Sequence, residues 1–258
     1  MVTILQQREI FHLEFLRALN RMLKPGCYVL KGGTNLRFFF GSIRYSEDMD
    51  IDVRDVPVGV LKDKVMEILK SSALRTVLKS FRIGDIVPPD MGKAKQTETV
   101  QRFKTHLITD SGEDLFTKVE FSRRGVEPAV KTETVLAEIT RLYRIGPLIV
   151  PHYALETALA QKIRALADRR QVQARDVFDV YVLLGKGQET ETLRNVSREK
   201  LAAANRQTLA ISCAQYRDTV VEYLSEQDRE HWGREDVWDE MVLRVSAFLE
   251  RLAVRKAG

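Results

Sequence analysis

YVLKGGTNLRFFFGSIRYSEDMDIDV, residues 28–53, reads as a strand, a glycine pair, a short helix, a loop and a second strand carrying carboxylates at Asp48, Asp50 and Asp52. A β-strand sends successive side chains to opposite faces, so these three aspartates project from one face. Three acids crowded on one side repel one another and weaken a purely structural sheet. They make sense around a cation, and a divalent metal with hard oxygen ligands fits that need while leaving coordination positions open for triphosphate oxygens.

Outward from this stretch, the composition sets the frame. At 258 residues the chain is long enough for one large domain or two modest ones. Hydrophobic residues at 44% and charged residues at 30% describe an ordinary globular protein. Forty-one basic against 36 acidic residues give a net charge of +5, compatible with an anionic polymer as partner without demanding one. Cys27 and Cys213 lie far apart and match no metal-ligand spacing, so both are expected to be reduced thiols. No apolar run approaches the ~18 residues of a membrane span. The start, MVTILQQREI, lacks the basic and apolar regions of a signal peptide. A cytoplasmic protein with no membrane partner is expected.

Taken in order, residues 4–23 carry apolar side chains at helical spacing, and Pro25-Gly26 ends that helix. CYVLK is a short buried strand that turns at Gly32-Gly33. Thr34 is placed to cap a helix running to Phe40, whose first N–H groups form an anion site. An amphipathic helix follows Pro57 to about Ser71, and residues 74–87 read as one or two strands. PPDMGKAKQTE, 88–98, reads as a polar loop whose lysines are more often solvated than functional. Residues 99–109 and 115–122 predict a β-hairpin. In its second arm Lys118, Glu120 and Ser122 share a face, which makes Glu120 a candidate third carboxylate if that arm neighbours the acidic strand. Residues 132–143 read as a helix, and GPLIVP, 146–151, as the crossing into a second domain. Beyond it the pattern is helical near 153–170, 174–185, 197–210, 212–225 and 235–254.

Two features of this helical half carry chemistry. Along HYALETALAQKIRALADRR, Lys162 falls about 20° from Leu155 and about 40° from Leu166, inside the apolar stripe. A lysine there either snorkels out along the edge of the core or points at an anion such as phosphate. Arg169 projects near it and could share that site. In RDVFDVYVLL, Asp176 and Asp179 occupy one side of a helix. They could complement the helix start, bridge to Arg169, Arg170 or Arg175, or serve catalysis directly. The four histidines form no metal-binding spacing and read as structural or surface residues.

KGGTNLRFFF, then RYSEDMDID, then ALAQKIRALADRR with ARDVFDVYVLL, resembles the AbiEii/AbiGii nucleotidyltransferase toxin family, which includes the MenT toxins and belongs to the DNA polymerase β-like nucleotidyltransferase superfamily. The likeness is specific over residues 28–54 and 153–185. It implies an α+β fold: a polymerase-β-like nucleotidyltransferase domain with a mixed sheet over 1–150, followed by an α-helical domain over 151–258. It assigns Gly32, Gly33 and Thr34 to the nucleotide's phosphates and Ser46 to a triphosphate contact. Asp48 and Asp50 correspond to the metal pair, Lys162 to the phosphate-contacting lysine, and Asp176 and Asp179 to the acids of the C-terminal motif. Lys31 and Arg44 lie near enough to help neutralise phosphate. The strand holds two overlapping D-x-D pairs. Ser46 sets the register on Asp48 and Asp50, leaving Asp52 a supporting role.

The expected reaction is transfer of a nucleoside monophosphate from NTP to an acceptor hydroxyl with release of pyrophosphate. Mg²⁺ or Mn²⁺ would sit on Asp48 and Asp50, and Glu120 could hold a second ion. The resemblance suggests RNA, particularly a tRNA 3′ end, as acceptor. It also suggests a toxin of a toxin–antitoxin or phage-defence system, with a cognate antitoxin as partner and the cleft between the two halves as active site. Rival readings are a nucleotidylating or kinase-like enzyme acting on a protein, a catalytically silent nucleotide- or antitoxin-binding module, and an antibiotic-modifying nucleotidyltransferase.

Overall fold

A computed structural model of the chain describes residues 2–92, 94–186, 193 and 196–255. Lys93, one of the lysines of the polar loop, lies outside them. The chain resolves into two compact units. One comprises residues 1–39 with 45–153, and the other residues 40–44 with 154–258.

The first unit is built on a seven-stranded mixed sheet of order β3-β4-β5-β2-β1-β7-β6. Its strands are β1 (Tyr28–Lys31), β2 (Asp48–Val53), β3 (Ile83–Val87), β4 (Val100–Thr109), β5 (Asp114–Ser122), β6 (Val130–Thr134) and β7 (Ile149–Tyr153). β1 and β2 pair antiparallel, whereas β2 with β5 and β1 with β7 pair parallel. Helices α1 (Ile4–Met22), α2 (Gly32–Phe40), α3 (Val58–Lys70), α4 (Ser72–Lys79) and α5 (Ala137–Leu142) complete it. α1 opens on a capping box, the Thr3 hydroxyl accepting from the Gln6 N–H while the Gln6 side chain accepts from the Thr3 N–H. Its apolar stripe of Ile10, Phe11, Leu13 and Leu16 is fully buried in the core with Met49 and Ile51 of β2, Phe103 of β4 and Val119 and Phe121 of β5. Between those buried positions, alternate strand residues carry the charges to the sheet's other face.

Three local expectations change. Residues 72–79 form a helix, because Ser71 caps it at the Leu74 N–H and Leu74 and Leu78 share one buried side. Only 83–87 is strand. Residues 130–134 form β6, and a helix occupies just 137–142. GPLIVP leads into β7, bonded to β1 and β6, because Val150 and Tyr153 find buried places in the sheet.

The second unit holds α6 (Leu155–Asp168), α7 (Ala174–Leu184), α8 (Arg198–Leu209), α9 (Cys213–Thr219), α10 (Glu226–Trp232) and α11 (Glu235–Arg255). α7, α8 and α11 pack together with α6 through Ile163, Leu166, Phe178, Leu201 and Phe248. Among the described residues no helix is long and apolar enough to cross a membrane.

Candidate active site

In the first unit the acidic strand lies between β1 and β5. Asp48 stands opposite Lys118, Asp50 opposite Glu120, and Asp52 opposite Ser122 on β5. The sequence made Glu120 conditional on that adjacency, and the structure supplies it. Asp48 and Asp50 are half-buried, whereas Asp52 is buried. Thr34 and Ser46 both donate to the Asp48 carbonyl, at 3.3 and 2.7 Å, and so pin the start of β2. Thr34 does not cap α2, because that helix begins two residues earlier, at Gly32. Ser46, which the resemblance assigns to the triphosphate, gives its hydroxyl hydrogen to the strand here.

Gly32 adopts φ +71°, and a Cβ added there would stand 2.8 Å from Asp50 Oδ2. The glycine is needed on both counts: the left-handed backbone turns β1 into α2, and the missing side chain lets Gly32, at the start of α2, stand against Asp50. Burial holds the Asp50 carboxyl above its ordinary range, with Glu120 and Asp48 adding to the effect and Lys31 and Lys118 opposing it. Asp52 is committed elsewhere. It accepts from Lys31 Nζ at 2.5 Å and from the Tyr153 hydroxyl at 2.6 Å, which explains why a third aspartate in the row need not be a ligand.

Sequence reasoning missed three partners here: Lys118, whose Nζ is 2.9 Å from Asp48 Oδ2; Arg102, whose Nε donates to Glu120 Oε2 at 2.5 Å; and Tyr153. Lys118 was visible as a face-mate of Glu120, but only the strand pairing shows which acid it meets. Among the described residues no three His, Cys, Asp or Glu side chains converge as a ready-made metal cage. The donor set still suits a hard cation. Asp48 Oδ1 is buried with no hydrogen-bond partner among the described residues, an orphaned oxygen on the strand face that also carries Asp50. Mg²⁺ is usually held by one or two carboxylates plus substrate phosphates and water, so two aspartates suffice.

In the second unit, Asp176 and Asp179 are fully buried on α7. Lys162 Nζ on α6 lies 2.6 Å from Asp179 Oδ2 and 3.4 Å from Asp176 Oδ1. Arg169 Nε reaches Asp176 Oδ2 at 2.6 Å, and Arg44 Nη2 reaches the Asp179 oxygens at 3.2 and 3.3 Å. The lysine on the apolar stripe therefore meets anions supplied by the protein itself. Burial alone would raise the Asp179 carboxyl; the charges of Arg44 and Lys162, with their hydrogen bonds, outweigh it and hold the group below its ordinary value. These five groups comprise three cations and two carboxylates, so their sum stays positive. Asp176 and Asp179 act here by fixing cations in place.

Among curated proteins none matches the chain. Among solved structures, MenT4, a nucleotidyltransferase toxin from Mycobacterium tuberculosis, superposes with a TM-score of 0.61 at 19% identity, covering 95% of this chain and 82% of that one. JHP933 from Helicobacter pylori gives 0.55 at 21% identity, covering 96% of each chain. At such identities the likeness is one of fold, and it matches the α+β architecture expected from the sequence. The sequence model of the family described as nucleotidyl transferase AbiEii toxin, type IV toxin–antitoxin system, matches residues 14–255. That match runs far beyond the glycine turn, the acidic strand and the α6–α7 motif that first suggested it. A chain so matched belongs to the AbiEii nucleotidyltransferase toxins of type IV toxin–antitoxin systems.

Proposed function

We propose that the protein transfers a nucleoside monophosphate from NTP to the hydroxyl of an RNA acceptor, a tRNA 3′ end in particular. The observation that carries this reading is the pair Asp48 and Asp50 on one strand face, with Asp48 Oδ1 buried and without a hydrogen-bond partner among the described residues. Asp48 and Asp50 are the residues that would hold Mg²⁺ or Mn²⁺, and Glu120, on the next strand, the one that could take a second ion. When bound, such an ion neutralises the phosphate oxygens and acidifies the acceptor hydroxyl. In the transfer the acceptor oxygen bonds to the α-phosphorus, the bond from that phosphorus to the β-phosphate oxygen breaks, pyrophosphate leaves, and the hydroxyl proton passes to solvent or a neighbouring carboxylate.

The chain's own residues do the positioning. Thr34 and Ser46 lock the Asp48 carbonyl, Gly32 brings the start of α2 against Asp50, and Lys31 holds Asp52. Lys162 is the phosphate-contacting lysine of this reading, aimed by Asp176 and Asp179, with Arg169 and Arg44 held by the same acids. Family membership brings a cognate antitoxin as partner.

The test incubates the protein with each α-labelled NTP, Mg²⁺, total cellular RNA and total protein, then separates the products by gel. Label in an RNA band with wild type, and a loss of at least 100-fold with Asp48→Ala, is the expected result; that fold-change corresponds to about 2.7 kcal/mol of transition-state stabilisation. Wild-type incorporation by Asp48→Ala would overturn the metal assignment. Label confined to protein bands would move the acceptor from RNA to a polypeptide.

A further inference from the structure

The face of the β4–β5 hairpin continues the row of acids into a strip of cations and rings, with Glu120 paired to Arg102 and Asp114 2.8 Å from His106 Nδ1. Register places Asp48, Lys118 and Lys104 side by side on β2, β5 and β4, and Asp50, Glu120 and Arg102 in the next row. Beyond Lys104 and Lys118 the next pair on this face is His106 opposite Phe116.

Two features of this strip are unfavourable for a bare sheet. Lys104 and Lys118 stand directly opposite each other, a like-charge pairing that weakens a ladder. Lys118 has Asp48 as its counter-ion; Lys104 is exposed and has no ion-pair partner among the described residues. Phe116 keeps 39% of its surface in water, its ring edge-on to His106 with centroids 5.6 Å apart. An exposed ring two positions, or about 7 Å, along the strand from the Lys104–Lys118 pair, of which Lys104 is uncompensated among the described residues, matches what single-stranded nucleic acid asks of a surface: a base to stack and a phosphate to neutralise. Adjacent strands are about 4.8 Å apart, so Lys104 sits about 10 Å across the sheet from the acids, within reach of a short segment whose terminal hydroxyl lies at Asp48 and Asp50.

We propose that this strip is the acceptor track: a single-stranded RNA 3′ segment lies across it, its backbone on Lys104 and Lys118 and a base on Phe116 beside His106. The assignment rests on the RNA-acceptor reading above and adds where the acceptor binds.

The experiment measures binding of a 5′-fluorescent single-stranded RNA oligonucleotide to the full-length protein by anisotropy over a range of salt. The Asp50→Asn background is used so that no transfer intervenes. Lys104→Glu and Phe116→Ala are each compared with Lys104→Arg, and circular dichroism checks that every variant is folded. Losing the base contact or the phosphate contact should weaken RNA binding about tenfold. Lys104→Glu should also lower the slope of log affinity against log salt by about 0.7, the share of one phosphate contact on a single strand. Lys104→Arg should restore binding, and affinity for NTP should stay within twofold throughout. RNA binding that is absent, or equal in all folded variants, overturns the acceptor track. Face-dependent RNA binding by a wild-type protein that labels no RNA in the transfer assay would sink the RNA-acceptor reading and leave the track standing. RNA labelling together with face-independent binding would do the reverse.

Discussion

His12 lies fully buried beneath β5, its Nε2 2.9 Å from the Thr117 hydroxyl, and that hydroxyl donates onward to the Glu47 carbonyl at 2.6 Å. Thr117 has spent its proton, so His12 donates from Nε2. Burial, with a smaller push from Arg8, takes its pKa from 6.5 down to about 3. A base whose folded value is depressed binds fewer protons than in the unfolded chain, so stability falls as pH drops from about 6.5 toward 3. His12→Gln, which keeps a donor for Thr117, should flatten that acid limb by a few kcal/mol, read as denaturant midpoints at pH 7 and pH 4.5. Asp179 behaves differently. Its folded value lies below the ordinary one, so its contribution is present above pH ~4 and disappears only as pH falls through the depressed value. Removing its charge takes away the carboxylate that Lys162 and Arg44 both contact in a buried setting. Asp179→Asn should therefore cost about 3–5 kcal/mol at pH 7, measured by urea unfolding, and should lower activity through misplacement of Lys162. If Asp179→Asn proved as stable as wild type, the cluster would not be the buried network described.

At the scale of elements, the glycine turn ties fold to chemistry most tightly. Gly32→Ala must force a left-handed alanine, a strain of about 1 kcal/mol, and must also displace the Asp50 carboxylate that occupies the space of the new Cβ. A modest drop in melting temperature with a transfer rate down at least tenfold is expected; equal losses in both would point to simple unfolding. The elements that sequence disclosed were those whose signal is local. The glycine pair, the alternating aspartates and the hairpin arms carry their own periodicity and turn chemistry. Ser72–Lys79 did not, since its eight residues span barely two turns and its Leu74–Leu78 spacing is lost beside the β-branched residues that follow. β6 was hidden as well. All five of its residues are exposed, so it lacks the apolar alternation that marks a strand, and its pairing with β7 supplies the structure instead. The candidate site was legible to the same degree. Asp48, Asp50 and Lys162 follow from pattern, whereas Lys118, Arg102 and Tyr153 enter through strand neighbours far apart in sequence.

At the scale of the whole molecule, the division into units does not follow the chain's simple order. Residues 40–44 belong with 154–258, although they connect α2 to β2. Gly41 and Ile43 help line an 880 Å³ cavity in the helical unit with Phe178, Tyr181 and Trp232, and Arg44 caps Asp179. No composition shift marks this loan of five residues, and the sequence placed the division at a single point. One consequence is open to test: a fragment of residues 154–258 lacks Arg44 and part of that cavity wall, so it should melt well below the same unit within the full chain. Adding residues 40–44 on a flexible linker should recover part of the difference; an isolated fragment as stable as the intact protein would refute this. The loan also has a consequence in time. Arg44 and Asp179 are 135 residues apart, and at roughly 5–20 residues per second the ribosome needs about 7–27 seconds to deliver the second after the first. Until then the guanidinium lacks its Asp179 partner, so a nascent chain carries its acidic strand long before its cationic cluster can assemble, and a polypeptide abandoned midway in synthesis never acquires it.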